Sequence, residues 1–353
     1  MTAILIDIGR HVIRFGVMND DDVILKQFSV PTPGGQTPES TFHGFVKRVL
    51  RDRGIEIAED TAFVIGAPGP FRGGKFSPML MDLKSWNVDI EDLRQQLSPD
   101  THVIHDVMAG VLSIGALRPD DIINTKGISP PETEDGAGSM PFRSTLYIQT
   151  GIGLGAAALI PDATGGRIPF STEAGSNTIA PCPHSPNKTD SDKDPAIQAA
   201  HDHDERCAYD FLAASADNEW GYLTAQYLLS APTLAKIYRA LAPTGDTLAH
   251  DMIVEHARKN DPIAERALGV FAAFLGTFAG DLAMSFRAYD GVYIGGPIVS
   301  RLTEEAIHRF HHRFSERGKR NHQLKGVPVT LVTNEFNALL GLRDALPSVR
   351  GTI

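Results

Sequence analysis

Residues 3–6, 12–17 and 23–30 are short segments rich in β-branched and aromatic residues, broken at 9–11 and 19–22. That spacing predicts three consecutive antiparallel strands joined by tight turns. A helical period follows at about 40–52, with Phe42, Phe45, Val46 and Leu50 on one face and Gly54 as its stop. A strand at 62–66, a Pro/Gly loop at 67–70, a short helix near 90–97 and a strand running to Asp106 complete a mixed α/β unit.

After a predicted helix at 107–117, residues 124–141 are polar and rich in Gly, Pro, Glu and Thr, and read as a surface insertion. The chain then repeats its opening, with a strand at 144–149, a glycine loop at 150–155 and a strand at 156–160. Two halves of related layout are expected, although no repeat shows in the sequence itself. Residues 181–205 read as a second polar insertion. Helices are predicted at 204–214, at 219–228 and from Ser230-Ala231-Pro232, a cap with an early proline, to 241. The longest helix opens at Asp261-Pro262 and runs to about Arg287. Its Gly276 and Gly280 would let another backbone approach, in the core or across a homodimer interface. Strands at 291–294 and 327–333 and a helix at 338–346 close the chain.

With 353 residues, about two domains are expected. The net charge of -10 argues against a nucleic-acid surface and fits a cytoplasmic enzyme of small metabolites. The basic run 309–320 reads as a solvated helix end, with a polyanion contact as the alternative. No stretch approaches the roughly 18 consecutive apolar residues of a membrane span, and the first residues lack a basic flank followed by an apolar core, so no membrane partner and no secretion are expected. Two cysteines give no disulfide framework. Cys182, His184, His201, His203 and Cys207 are of types that bind zinc, but their spacing matches no regular pair of ligand pairs, and a solvated loop is the alternative.

The candidate chemistry begins at Asp106, where the apolar pair Val103-Ile104 breaks into two polar residues. A carboxylate there can meet a ligand at the carboxyl end of a sheet, or merely cap the following helix. Three glycine turns accompany it: Asp7-Ile8-Gly9, Gly151-Ile152-Gly153-Leu154-Gly155, and Gly291 with Gly295-Gly296. Glycine lets a backbone turn tightly and present N–H groups to phosphate oxygens, and an acid beside such a turn can hold a hydrated Mg2+.

In this order, with Arg14, 67–70, Trp86, His105-Asp106, Glu173-Ala174-Gly175-Ser176, Leu229-Ser230-Ala231-Pro232, 294–299 and Leu339-Leu340-Gly341, the chain resembles the bacterial glucokinase family within the actin-like sugar kinases. The resemblance implies an α/β, actin-like ATPase (ribonuclease H-like) fold of two related domains around a cleft. The small domain would be 1–106 plus about 335–353, and the large one 107–334. It implies ATP and Mg2+ as cofactors and a hexose as substrate, with Asp106 as the general base on the sugar's 6-hydroxyl. His105, Asp106, Glu173, Ser176 and Gln226 would line the sugar. Asp7, Gly9, Gly151, Gly153, Gly155, Gly295 and Gly296 would line the nucleotide, with Asp7 reaching Mg2+ through water. The chain departs from the family at Arg10-His11-Val12, Ile152, His105, Ser176 and Gln226. A sugar-binding or regulatory protein with weak or no kinase activity on the same fold is therefore the alternative.

Overall fold

In the computed structural model, which describes residues 3–33, 41–69, 71–76, 88–125, 143–180, 195–215, 221–243 and 245–351, β1 (Ala3–Ile8) is buried at every position. A strand flanked on both sides and covered on both faces is expected to be apolar, and β1 is so except at Asp7. It pairs antiparallel with β2 (Val12–Met18), which pairs antiparallel with β3 (Ile24–Pro31). Helix α1 (Phe42–Asp52) comes after them, capped by Thr41, whose hydroxyl accepts the Gly44 N–H. Next come β4 (Ala62–Ala67), three two-residue strands β5 (Phe71–Arg72), β6 (Lys75–Phe76) and β7 (Val88–Asp89), and helix α2 (Ile90–Gln96). β8 (Thr101–His105) runs directly into α3 (Asp106–Leu112). The sheet order is β3-β2-β1-β4-β8, with β4 and β8 parallel to β1. The apolar face of α1 covers one side of it, where Phe15 stacks on Phe28 at 5.2 Å.

The second sheet has the order β12-β11-β10-β13-β14-β9, built from β9 (Ile122–Thr125), β10 (Thr145–Thr150), β11 (Leu154–Pro161), β12 (Arg167–Thr172), β13 (Gly291–Gly295) and β14 (Val329–Val332). β10 is antiparallel to β11 and parallel to β13, as β1 is to β2 and β4. The expected repetition of layout is thus real at the level of topology, and this pair of mixed sheets is the actin-like architecture. The intervening helices are α4 (Pro195–Ala213), α5 (Ala225–Leu228), α6 (Ala231–Leu241), α7 (His250–Arg258), α8 (Pro262–Phe286), α9 (Glu304–Ser315) and α10 (Asn321–Leu324). The closing helix is α11 (Asn337–Arg350).

The chain divides into one compact unit of 1–119, 169–171 and 334–353 and another of 120–168 and 172–333. Helix α3 therefore goes with the first unit, and the first change of unit falls after Pro119 instead of at Asp106. The reason is α11, which lies against α3. A Cβ at Gly341 would run into the carbonyl oxygen of Ala109, and Asn337 Nδ2 donates to Ser113 Oγ at 3.4 Å.

Other expectations need correction. Asn124 and Thr125 end β9 instead of opening an insertion, because β14 offers a free edge and Thr125 Oγ1 donates to the Val329 carbonyl at 2.7 Å. Residues 195–205 are the first half of α4. The predicted helix at 219–228 shrinks to the single turn α5, since 221–224 are not helical and Thr224 is the cap of that turn. β12 and α7 are additions that the hydrophobic pattern does not predict. Residues 126–142 and 181–194 with Cys182 and His184, and also Pro70 and Trp86, lie outside the described residues. His203 and Cys207 sit one turn apart on α4, Sγ 3.4 Å from Nε2. Among the described residues no group of three His, Cys, Asp or Glu side chains is arranged to hold a metal.

The basic run departs most from expectation. Arg309 and Arg313 are each 3% exposed and face three acids of α4. Arg313 reaches Asp202 at 2.6 Å and Glu205 at 2.9 Å, and Arg309 reaches Glu205 at 3.3 Å. Arg266 of α8 grips Asp204 with both Nε and Nη2. Burial pushes the Glu205 carboxyl above its ordinary range against the pull of the two arginines. The charges are buried because α9 packs on α8 at very short range: a Cβ at Gly276 would strike the Phe310 carbonyl, and one at Gly280 the Phe314 carbonyl. The close approach made possible by these two glycines thus takes place inside the core. By length and hydropathy α8 could cross a membrane, yet 83% of its most apolar window is buried in this unit.

Removing one member of a buried ionic cluster strands the rest, so Arg313→Ala is expected to cost about 3–5 kcal/mol. Urea unfolding of the variant against the parent measures it, and a loss under about 1 kcal/mol, the range of a surface pair, would mean the cluster is solvated.

Candidate active site

Asp7, Gly66 and Ile104 stand in one row across the parallel strands β1, β4 and β8, at their carboxyl ends. Asp106 comes two residues beyond that row. Gly66 packs at ordinary contact distance from its neighbours: a Cβ there would lie 3.5 Å from Leu342 Cδ2, 3.7 Å from Asp106 Cα and 3.8 Å from Asp7 Oδ1.

Asp7 is 8% exposed. Directly opposite it across the β1–β2 pairing stands Arg14, whose Nη1 donates to Asp7 Oδ2 at 3.1 Å. Burial raises the Asp7 pKa to about 6, Arg14 pulls it down, and the charge of Asp106 adds to the rise. Beyond Asp7, the Gly9 N–H donates to the Val12 carbonyl at 3.0 Å, and the Thr32 hydroxyl donates to the Gly9 carbonyl at 2.6 Å. A Cβ at Gly9 would lie 2.5 Å from the Val12 oxygen, so this position has no room for a side chain. Arg10 and His11 are exposed and have no positive φ. The turn therefore keeps its backbone form without a second glycine.

Asp106 is the first residue of α3. Its Oδ1 accepts the Val107 N–H at 2.8 Å, and His105 Nδ1 lies 2.8 Å from the same oxygen. Oδ2 takes no hydrogen bond from any described residue, and the side chain is 29% exposed. The carboxylate thus satisfies the start of its own helix with one oxygen and keeps the other for a partner. Acting as a local cap and acting as a base are compatible.

In the second unit, the Gly151 N–H donates to the Gly153 carbonyl at 3.0 Å, and the Gly151 carbonyl accepts the Ala231 N–H at 2.7 Å. That bond ties the turn of Gly151, Gly153 and Gly155 to the start of α6. Leu154 also faces the second candidate cluster. A Cβ at Gly175 would lie 2.6 Å from the Leu154 carbonyl oxygen and 3.6 Å from Gln226 Oε1. The segment carrying Glu173 and Ser176 is held by the Ala225 N–H on the Asn177 carbonyl at 2.8 Å. Glu173 and Ser176 are exposed and Gln226 half-buried, so polar groups surround this junction. Gly295 ends β13 against β10, and Gly296 follows it. Thr150 Oγ1 donates to the Gly295 carbonyl at 3.2 Å, and a Cβ at Gly296, where φ is 135°, would strike Thr150. The structure thus forms two clusters, Asp7, Gly9, Arg14, Gly66, His105 and Asp106 in one unit, and the Gly151–Gly155 turn, Glu173, Ser176, Gln226 and Gly295-Gly296 in the other.

The Glucokinase family profile matches residues 4–188 and 198–348. A glucokinase of Cupriavidus metallidurans is 31% identical over 290 residues, covering 80% of this chain and 76% of that one. The bifunctional protein glk of Paraburkholderia xenovorans is 29% identical over 312 residues, 85% of this chain and 42% of that protein. The chain spans about half the length of the curated relatives of this bifunctional kind. Among solved structures, the glucokinase from Balamuthia mandrillaris in complex with glucose superposes with a TM-score of 0.74 over 99% of this chain and 94% of that one, at 18% identity. That is a likeness of fold.

The buried carboxylate has a pH signature. With a folded pKa of about 6 against an ordinary 3.8, Asp7 takes up a proton on folding. Its contribution, measured against Asp7→Asn, is fully present below about pH 4 and is lost as pH rises through 6, by up to roughly 3 kcal/mol. Thermal unfolding of both proteins across that range checks it. The difference should drift toward the Asn variant with rising pH, and a flat difference would mean that Asp7 is solvated.

Proposed function

The chain belongs to the glucokinase family, and on that premise we propose that it is an ATP-dependent hexose kinase acting on the 6-hydroxyl of the sugar, glucose in the first place. One observation carries the reading: an open carboxylate oxygen, Asp106 Oδ2, stands beside the buried Asp7 at the carboxyl end of a parallel sheet. That is where ligands bind in open α/β sheets.

Asp106 takes the proton of the attacking hydroxyl through Oδ2, which makes the oxygen nucleophilic only as it approaches the γ-phosphate. His105 lies on the sugar side with it. Glu173, Ser176 and Gln226 hydrogen-bond the remaining hydroxyls; a carboxylate accepts, while a hydroxyl and an amide both donate and accept. The Gly9 turn, the Gly151, Gly153 and Gly155 turn and Gly295-Gly296 offer backbone surface without side chains to the nucleotide phosphates. Magnesium, a hard cation that keeps several waters and favours carboxylate oxygen, fits the Asp7 carboxylate, which would hold it through water. When bound, the ion neutralises charge that develops on the phosphate oxygens. Arg14 keeps the Asp7 carboxylate turned to a fixed side, and Arg10, exposed on the same turn, would pair with phosphate.

The test is ADP release with Mg·ATP against a panel of hexoses, with Asp106→Asn as the blank. Sugar-dependent release should fall at least about 100-fold in the variant, with sugar still shifting its melting temperature. No release from the parent, with sugar still shifting its melting temperature, would leave a sugar-binding protein without kinase activity. In the same assay, Arg10→Gly combined with His11→Thr is expected not to lower KM for ATP. A lower KM would mean that Arg10 obstructs the turn.

A further inference from the structure

The last two residues of β10 flank the end of β13. Gln149 stands directly opposite Gly295 across the parallel pairing, and Tyr147, two residues back, shares its face of the sheet. Thr150 lies on the other face, in line with Leu146 and Ile148 of the apolar core. A Cβ at Gly295 would lie 2.6 Å from Gln149 Oε1 and 2.7 Å from Tyr147 Oη. The space beside this glycine is therefore filled by the protein's own side chains.

The carboxamide is fixed where it lies. A carbonyl can only accept, so the 3.3 Å contact with the Thr150 oxygen comes from Gln149 Nε2. The other end of the amide, Oε1, then faces Tyr147, whose hydroxyl donates to it at 2.5 Å. From the opposite face, Thr150 Oγ1 donates to the Gly295 carbonyl at 3.2 Å. A methyl at 295 would have to move the turn or tear the carboxamide from both its partners, since Tyr147 is buried and cannot make room.

We propose that Gln149, held by Tyr147, is a positioning residue for the nucleotide: its carboxamide sets the Gly295-Gly296 turn and is what requires glycine at 295. This deepens the kinase reading and rests on its nucleotide site. A turn already clamped on both faces of the sheet needs no ordering when the nucleotide arrives, so the clamp acts on nucleotide affinity and not on the chemical step.

The glycine and the side chains that crowd it should be energetically coupled. Titration calorimetry with Mg·ADP, together with KM for ATP at saturating glucose, measures this in the parent, in Gly295→Ala, in the pair Tyr147→Phe with Gln149→Ala, and in all three changes combined. Gly295→Ala should weaken nucleotide binding roughly 10-fold. The pair loses the clamp but leaves room, and should weaken it by about 3- to 10-fold, with kcat and KM for glucose within about 3-fold. In the background of the pair, Gly295→Ala should add less than about 2-fold, because the space its methyl needs has been vacated. A merely structural contact would lower the melting temperature without moving KM for ATP.

An equal loss from Gly295→Ala in both backgrounds overturns the proposal, as does unchanged nucleotide affinity in Gly295→Ala or in the pair. If Gly295→Ala does not fold alone, recovery of folding in the background of the pair supports the clamp, and failure there overturns it. If the pair does not fold, Gln149→Ala alone takes its place, since Oε1 is the nearer of the two crowding atoms. A parent that binds Mg·ADP but turns over no hexose would remove the kinase reading and leave the clamp to be judged by calorimetry. A parent that binds no nucleotide removes both.

Discussion

The first unit turns on a contact between two backbones, Gly341 of α11 on the Ala109 carbonyl of α3. A side chain there would push α11 away and take α3 out of register with the end of β8, and Asp106 is the first residue of α3. The site is therefore set by a packing constraint that comes from the far end of the chain. The second unit uses the same device at its centre, where Gly276 and Gly280 let α9 close on α8. In both units, a helix takes its place through the absence of a Cβ, which fixes position more sharply than an apolar side chain able to adjust its rotamer.

Closing α9 onto α8 has an electrostatic cost, and the fold meets it by bringing acids from a segment about a hundred residues earlier. Asp202, Asp204 and Glu205 on α4 meet Arg266, Arg309 and Arg313. Such a cluster adds little net stability over an apolar equivalent but tolerates no missing member. It also specifies which face of α4 points inward. On α4, whose apolar and polar residues are poorly separated, apolar burial alone would specify that face weakly.

Much of the framework was legible in the sequence, and the reasons are physical. The first three strands, α1, α6 and the long α8 combine an apolar run or face with a turn or start–stop residue, as at Gly54, Ser230 and Asp261. The elements that escaped reading were decided by long-range partners. Asn124 and Thr125 look like a loop until β14 provides an edge, and Arg309 looks solvated until Glu205 is placed against it. Buried and exposed charges are spelled alike. In the candidate site, Asp7, Gly9 and Asp106 could be marked from local chemistry, whereas Glu173, Ser176 and Gln226 came only through the family resemblance.

Helix α8 carries a further consequence, for the chain as it is made. Its 25 residues pass the length and hydropathy test for a bilayer span, so as they leave the ribosome they present a surface that hydrophobic partners accept as readily as the native core does. Its glycine face cannot be covered until α9, which begins only at Glu304, has also been synthesised through Ser315. For that interval the second unit depends on α6 and α7, made earlier, to shield the rest of the helix. The most deeply buried helix of the finished protein is thus its most vulnerable one during synthesis.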